Sequence, residues 1–337
     1  MSAPPRLGIL GMGTCLPTGV RTNEDVARAA GVTPEWITQR TGVRNRHLAR
    51  PGEAASDLGS TALKAALAAA SVAPEQIALL ITATSTPDEV VPSTACRIQA
   101  NTRCRGAAAF DVGAACSGWV FAAKLACDWL RASGSAQYAA VVAVDLYSKY
   151  IDPAERKTAS LFSDGAAAAV IGPAAHGFDD FQLFSDGALA EHFVIPAGGS
   201  RMPPTEETIR AGSHHVRMNG RGLTAFMNTV FPQTIDLMLA RGSLTLDDIA
   251  LVVAHQPNPV LLSSLGEACG IPPEKLHITG NAVGNLGVAS APYTLADAAS
   301  QGLIRRGDRL LMGVFGAGAT WAGTMLTWNG ASTVHVH

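Results

Sequence analysis

Two segments lying about 170 residues apart carry the same succession of residue types, and this repetition constrains the fold more than any other feature. Pro-Glu-Gln-Ile-Ala-Leu-Leu-Ile-Thr-Ala-Thr-Ser-Thr-Pro (74–87) matches Leu-Asp-Asp-Ile-Ala-Leu-Val-Val-Ala-His-Gln-Pro-Asn-Pro (246–259), each reading as a turn, an apolar strand and a polar exit. A second pair follows at nearly the same offset, Tyr138-Ala-Ala-Val-Val-Ala-Val-Asp145 against Arg309-Leu-Leu-Met-Gly-Val-Phe-Gly316. One such pair could be chance, because apolar strands resemble one another; two in register predict a duplicated chain.

The runs 77–83, 139–145, 249–254 and 309–315 are short and rich in Val, Ile, Leu and other apolar residues, as in strands covered on both faces. Stretches with apolar residues at helical spacing, 57–71, 117–131, 222–241 and 291–303, lie between them. The expectation is an α/β protein of stacked layers built from two halves, 1–175 and 176–337. Reactive residues on loops leaving the strands would then meet at the seam between halves.

Of the 337 residues, 47% are hydrophobic and 15% charged, which supplies a large core and excludes a disordered chain. A net charge of -2 provides no field for nucleic acid or an anionic membrane, so neither is an expected partner. The first ten residues, MSAPPRLGIL, lack the basic and long apolar regions of a signal peptide, and no apolar run is long enough to span a bilayer. A cytoplasmic protein is expected. The six cysteines (15, 96, 104, 116, 127 and 269) show no Cys-x-x-Cys spacing and read as reduced thiols. Nine histidines, among them His214-His215, His335 and His337, show no metal-binding spacing, so no metal site is expected.

Cys116 lies where a small-residue turn meets the apolar helix 117–131. Free N–H groups and the macrodipole at a helix start favour a thiolate, which makes this thiol a candidate nucleophile rather than only a core residue. His255 follows the run 249–253 directly and should sit at a strand's carboxyl end, in the half opposite Cys116. Gly284-Asn285-Leu-Gly-Val-Ala-Ser-Ala-Pro292 joins a glycine-rich loop to a helix, with Pro292 suited to its first turn. Gly280-Asn281 lies close by, and spacing alone does not choose between the two asparagines. Phe315-Gly-Ala-Gly-Ala-Thr-Trp321 follows another strand and can present backbone N–H groups to an oxyanion. Gly8, Gly11 and Gly13 are in the wrong order for a dinucleotide loop, and Pro17 stands where its helix should begin.

Taken together, these residues resemble the 3-oxoacyl-[acyl-carrier-protein] synthase III family over about residues 7–328. The markers are Thr22-Asn23, Glu35-Trp36-Ile37 with Arg40-Thr41-Gly42-Val43-Arg44, Ala-Cys-Ser-Gly around Cys116, Ser163-Asp164-Gly165-Ala166, His255-Gln-Pro-Asn258, Gly284-Asn285 and Gly316-Ala-Gly-Ala-Thr-Trp321. The resemblance implies a thiolase-like αβαβα fold whose first half carries the nucleophile and whose second carries the histidine and asparagine. It selects Asn285, because Gly-Asn-x-x-x-Ala-Ser-x-Pro fits 284–292 without gaps. It further implies that Cys116, His255 and Asn285 are catalytic, that the N–H groups of Cys116 and Ala317 form an oxyanion hole, and that Phe315 lines the decarboxylation site. Trp36 and Arg156 would hold the adenine of coenzyme A, with Arg40 near its phosphates, Asn258 along its arm and Gly220 also in contact with the substrate. No cofactor is implied, since coenzyme A thioesters are substrates.

The implied reaction is a ping-pong cycle: an acyl-CoA acylates Cys116, then a malonyl thioester, on coenzyme A or an acyl carrier protein, is decarboxylated and condensed. The chain departs from the family at two places. Basic residues expected at the carrier-protein dock are replaced by Val260, Glu267 and Ala225, which points to a coenzyme A ester, a small acceptor, or a carrier docked through Arg210, Arg217 or Arg221. Val91 stands where the family places a bulky aromatic that limits the acyl pocket of a partner subunit, so a homodimer with a primer larger than acetyl is expected unless neighbouring side chains refill the space. Both departures point toward a specialised pathway. An acyltransferase that moves the acyl group to oxygen or nitrogen, and a non-catalytic partner subunit, are the competing readings; intact Cys116, His255 and Asn285 weigh against the second.

Overall fold

The computed structural model describes residues 6–133 and 137–337; residues 1–5, half of the segment behind the leader reading, lie outside them. Ten strands matter for the site: β1 (Arg6–Cys15), β2 (Ile77–Ala83), β3 (Ala108–Val112), β4 (Tyr138–Leu146), β5 (Asp164–Ala174), β6 (Phe178–Ser185), β7 (Leu251–Ala254), β8 (Arg309–Gly316), β9 (Thr320–Thr327) and β10 (Ser332–Val336). They form a six-stranded sheet ordered β10-β1-β5-β4-β2-β3 and a four-stranded sheet ordered β7-β8-β9-β6.

The sequence repeat reappears as a repeated ladder. In the first sheet β2 pairs in parallel with β4, Leu79 opposite Ala139 through Thr82 opposite Val142. In the second, β7 pairs in parallel with β8, Leu251 opposite Leu310 through Ala254 opposite Gly313. Residues that the repeat equates are thus partnered by residues that it equates. The antiparallel neighbours repeat too, β5 with β1 and β4 in one sheet and β9 with β6 and β8 in the other. β10 runs back to pair in parallel with β1, with Thr14 opposite His335, so the chain's last strand closes the first sheet.

Six helices complete the layers: α1 (Ala55–Ala70), α2 (Thr94–Thr102), α3 (Gly118–Ser133), α4 (Gly220–Gly242), α5 (Pro259–Ala268) and α6 (Ser290–Ser300). Alternation along each strand decides which layer a residue joins, because successive side chains point to opposite faces. Leu79, Ile81, Val141, Val253 and Met312 share one core with Trp119 and Ala123 of α3 and Ala291 and Leu295 of α6, so these two helices lie between the sheets. Leu80 and Val142 face α1 and α2 on one outer side. Val252 and Leu311 face α4 and α5 on the other. Helix, sheet, helix, sheet, helix is the expected αβαβα order. Several boundaries differ from the sequence reading, and two of the shifts have a visible cause. β7 starts at Leu251, because Ile249 N–H is drawn into a turn by Leu246 O at 3.2 Å, and α6 stops at Ser300 ahead of Gly302, which adopts φ 69°.

Between β1 and α1 the chain builds an insertion: a hairpin of Gly19–Thr22 and Asn45–Leu48 carries the helices Asn23–Ala30 and Pro34–Thr41. Arg46, fully buried, fastens it by donating from Nε to Ser160 O at 3.1 Å and from its guanidinium to Asn23 Oδ1. Among the described residues, no helix is long and apolar enough to cross a membrane.

Candidate active site

Strand ends bring the reactive side chains to the seam. Beyond β3 the chain turns through Ala115, held at φ 43° in the left-handed region that alanine seldom occupies, and a short turn of Ala115–Ser117 leads into α3. This strained corner sets Cys116 at the head of α3. His255 follows β7 directly. Asn285 lies on the turn before α6, clamped by the first half: its N–H donates to Leu161 O, and its carbonyl accepts from Ser163 N–H, both at 2.9 Å.

Cys116, His255 and Asn285 line one cavity of about 140 Å³, together with Gly220, Asn258, Phe315 and Ala317. Seven of the residues expected at the site therefore converge. Trp36, Arg40 and Arg156 stand outside that lining. The Arg156 guanidinium lies over the Trp36 ring, 5.4 Å from its centroid, and Arg40 is exposed on the same insertion helix as Trp36. Val91 is 81% exposed and does not line the cavity. Asn281 is also absent from the lining; its carbonyl accepts from Arg44 N–H.

The 317–320 turn is locked onto the corner that carries Cys116. Ser117 Oγ donates to Thr320 O at 3.0 Å, and Thr320 Oγ1 donates to Ala114 O at 2.8 Å. Gly316 permits this approach, because a Cβ there would fall 2.7 Å from Cys116 N and 3.1 Å from Ser117 N. Behind the corner, the buried Asp145 carboxylate accepts from Ser85 N–H at 2.7 Å and Val288 N–H at 2.8 Å, joining the two halves.

Burial and the neighbouring Asp145 push the Cys116 thiol above its ordinary range. The helix start opposes this, but desolvation is the larger effect, so the resting side chain is a thiol and not the thiolate that the helix position alone predicts. His255 is 4% exposed, and burial pushes it down to about 3, leaving a neutral imidazole. Its Nδ1 lies 2.7 Å from Ser290 Oγ, and its ring meets Phe315 edge to face, 5.4 Å between centroids. Asn285 is oriented at both ends, Oδ1 accepting from Gly287 N–H at 2.9 Å and Nδ2 donating to Pro257 O at 3.3 Å. One N–H of its amide remains for a ligand.

The low His255 value has a consequence for acid stability. Between its ordinary 6.5 and about 3, the unfolded chain binds a proton here that the native chain does not. Stability from this group is therefore present above the unfolded value and lost as pH falls through the window, with a slope approaching about 1.4 kcal/mol per pH unit. Denaturation midpoints measured from pH 7 to 4 should fall less steeply for His255→Gln than for the wild type; parallel curves would refute this.

Sequence reasoning missed most of the apolar lining, including Tyr147, Leu161, Phe162, Phe193, Met218 and Phe226. Tyr147, Phe162 and Phe193 pack on one another with centroids 4.7 to 5.9 Å apart. Tyr147, Leu161 and Phe162 come from irregular segments without periodicity, Phe226 from α4, and the one signal was Phe162 preceding the Ser163-Asp164-Gly165 marker. That marker is itself structural: Ser163 Oγ accepts from His47 N–H at 2.6 Å, and Asp164 accepts from Ala49 N–H at 2.8 Å, tying the insertion to β5. Asn258 also has a second duty, its Oδ1 capping α5 by accepting from Leu261 N–H at 2.9 Å.

Comparison with known proteins shows the family of the chain. Residues 110–187 match the family 3-Oxoacyl-[acyl-carrier-protein (ACP)] synthase III, and residues 239–328 match 3-Oxoacyl-[acyl-carrier-protein (ACP)] synthase III C terminal. The beta-ketoacyl-[acyl-carrier-protein] synthase III of Symbiobacterium thermophilum is 40% identical, covering 96% of this chain and 98% of that relative. The acetoacetyl CoA synthase NphT7 of Streptomyces sp. (strain CL190) is 38% identical, covering 96% of this chain and 99% of that relative. The crystal structure of 3-oxoacyl-(acyl carrier protein) synthase III from Pseudomonas aeruginosa PAO1 superimposes with a TM-score of 0.88 at 33% identity, covering 96% and 98% of the two chains. The chain belongs to the 3-oxoacyl-[acyl-carrier-protein] synthase III family and is a thiolase-fold acyltransferase of the condensing class.

Proposed function

We propose that Cys116 is the acylated nucleophile, that His255 and Asn285 stabilise the enolate of a malonyl thioester, and that the second substrate is a coenzyme A ester. The shared cavity carries this reading, since it sets one thiol beside two neutral hydrogen-bond donors from the other half. In the first half-reaction the Cys116 sulfur attacks the acyl-CoA carbonyl, the thioester C–S bond breaks, and the thiol proton leaves with the coenzyme A sulfur. In the second, carbon dioxide departs from the malonyl thioester and negative charge gathers on its carbonyl oxygen, to which His255 and Asn285 donate. The enolate carbon then attacks the acyl-cysteine, the N–H groups of Cys116 and Ala317 hold the oxyanion, and the cysteine sulfur is released and reprotonated.

Trp36 and Arg156, already stacked, would grip the adenine, Arg40 the phosphates, and Gly220 and Asn258 the arm. Val260 is 47% exposed, and Glu267 and Ala225 are exposed too, so the surface where a carrier protein would dock lacks the expected cations. A relative named for making acetoacetyl CoA supports the same choice of substrate. The division into halves at residue 175 belongs to this reading and is supported by the repeated ladders. The test is intact-protein mass after mixing with a panel of acyl-CoA esters, then addition of malonyl-CoA or a malonyl carrier protein. A one-acyl adduct, followed by carbon dioxide release and a β-keto product faster with malonyl-CoA, is expected. Transfer of the acyl group to oxygen or nitrogen without carbon dioxide release would replace condensation with simple acyl transfer.

The protein acts as a homodimer in this proposal, with the exposed Val90 and Val91 of one copy entering the acyl site of the other. Primer size is then set jointly by residue 91 and by the rings of Tyr147, Phe162 and Phe193. Val91→Phe should lower acylation by medium-chain and aryl thioesters about tenfold, roughly a lost apolar contact or two, with little change for acetyl-CoA. An unchanged primer profile, or a wild type that sediments only as monomer at assay concentration, overturns this.

A further inference from the structure

Ser290 has no part in the reaction as described, yet it is 1% exposed and its hydroxyl lies against the histidine. Its oxygen accepts from Gln256 N–H at 3.3 Å. That N–H cannot turn away, because the Gln256 side chain is fixed at both ends: Nε2 donates to Ala254 O and His277 O, each at 3.2 Å, while Oε1 accepts from Thr279 N–H at 3.2 Å and Gly280 N–H at 3.3 Å. A hydroxyl has one proton to give. Among the described residues its only acceptor in hydrogen-bond reach is His255 Nδ1, at 2.7 Å.

We infer that Ser290 is a positioning residue which, by donating to Nδ1, holds His255 in the tautomer that carries its single proton on Nε2. Resting on the proposed function, this makes the imidazole a hydrogen-bond donor toward the cavity in the resting enzyme, before any substrate arrives. The opposite tautomer would present a lone pair to the developing enolate oxygen and repel it. Phe315, perpendicular to the ring, keeps the imidazole from swinging out of the Ser290 bond. A neutral histidine without such a partner samples both tautomers.

The tautomer is directly readable by nitrogen NMR on the full-length protein labelled with ¹⁵N-histidine, the His255 signals being assigned by their loss in His255→Gln. The wild type should show a bare Nδ1 and a protonated Nε2. In Ser290→Ala both tautomers should appear. Condensation should fall about 10- to 100-fold, the usual effect of removing an outer partner that orients a histidine, while acylation of Cys116 stays within about twofold of the wild type. Ser290→Thr, which keeps the hydroxyl, should recover most of the rate. A wild-type proton on Nδ1 overturns the inference, as does Ser290→Ala condensing at the wild-type rate or losing acylation and condensation by the same factor. Should Ser290→Ala fail to fold, the wild-type spectrum decides alone. Absence of any acyl adduct on the wild type would defeat the proposed function instead, leaving the tautomer to be read independently.

Discussion

Cys116→Ala is expected to eliminate the acyl adduct and to lower condensation by at least about 10³-fold, because removal of a nucleophile abolishes the covalent route altogether. The cavity keeps its shape in this variant, since only the SH group is lost and the corner around Ala115 is held by Ser117, Thr320 and Gly316. His255 and Asn285 remain able to polarise a malonyl thioester, so slow release of carbon dioxide without a condensed product should persist. Mapping the adduct by peptide mass matters, because Cys96 is exposed and could be labelled chemically by a reactive thioester. An adduct of undiminished size on Cys116→Ala, or undiminished turnover, would move the nucleophile elsewhere.

How much of this was legible beforehand depends on whether a feature is written locally. The duplication was legible because strands covered on both faces need mostly apolar residues, and β2, β4, β7 and β8 all have them. Cys116 and His255 stood out for the same reason, each directly following or preceding a regular element. Asn285 did not: spacing left Asn281 equal to it, and only the resemblance, and then the clamp from Leu161 and Ser163, separates them. That clamp reaches across the halves and has no local signature. The same holds for the Trp36 and Arg156 stack and for the aromatic lining, which arise from segments brought together by the insertion and by α4. The charge state of Cys116 is a further case. The helix start was readable, but the burial that opposes it is a property of the assembled cavity.

Asn285→Ala should separate the two half-reactions. Its amide makes two structural bonds, from Gly287 N–H and to Pro257 O, and losing them costs on the order of 1 kcal/mol each, visible as a modest drop in Tm. The free N–H is a different matter. A donor aimed at the oxygen where charge develops contributes about 10²- to 10³-fold, and that factor falls only on decarboxylation. In the proposed mechanism acylation of Cys116 relies on the backbone N–H groups of Cys116 and Ala317, so it should change by no more than a few-fold. His255→Ala should show the same split, and the double variant should lose less than the product of the two factors if, as proposed, both donors serve one oxygen. Equal loss in acylation and decarboxylation would mean that Asn285 shapes the cavity and does not touch the enolate. Strict multiplicativity would mean that the two side chains address different atoms, and the picture of a shared oxygen would have to be given up.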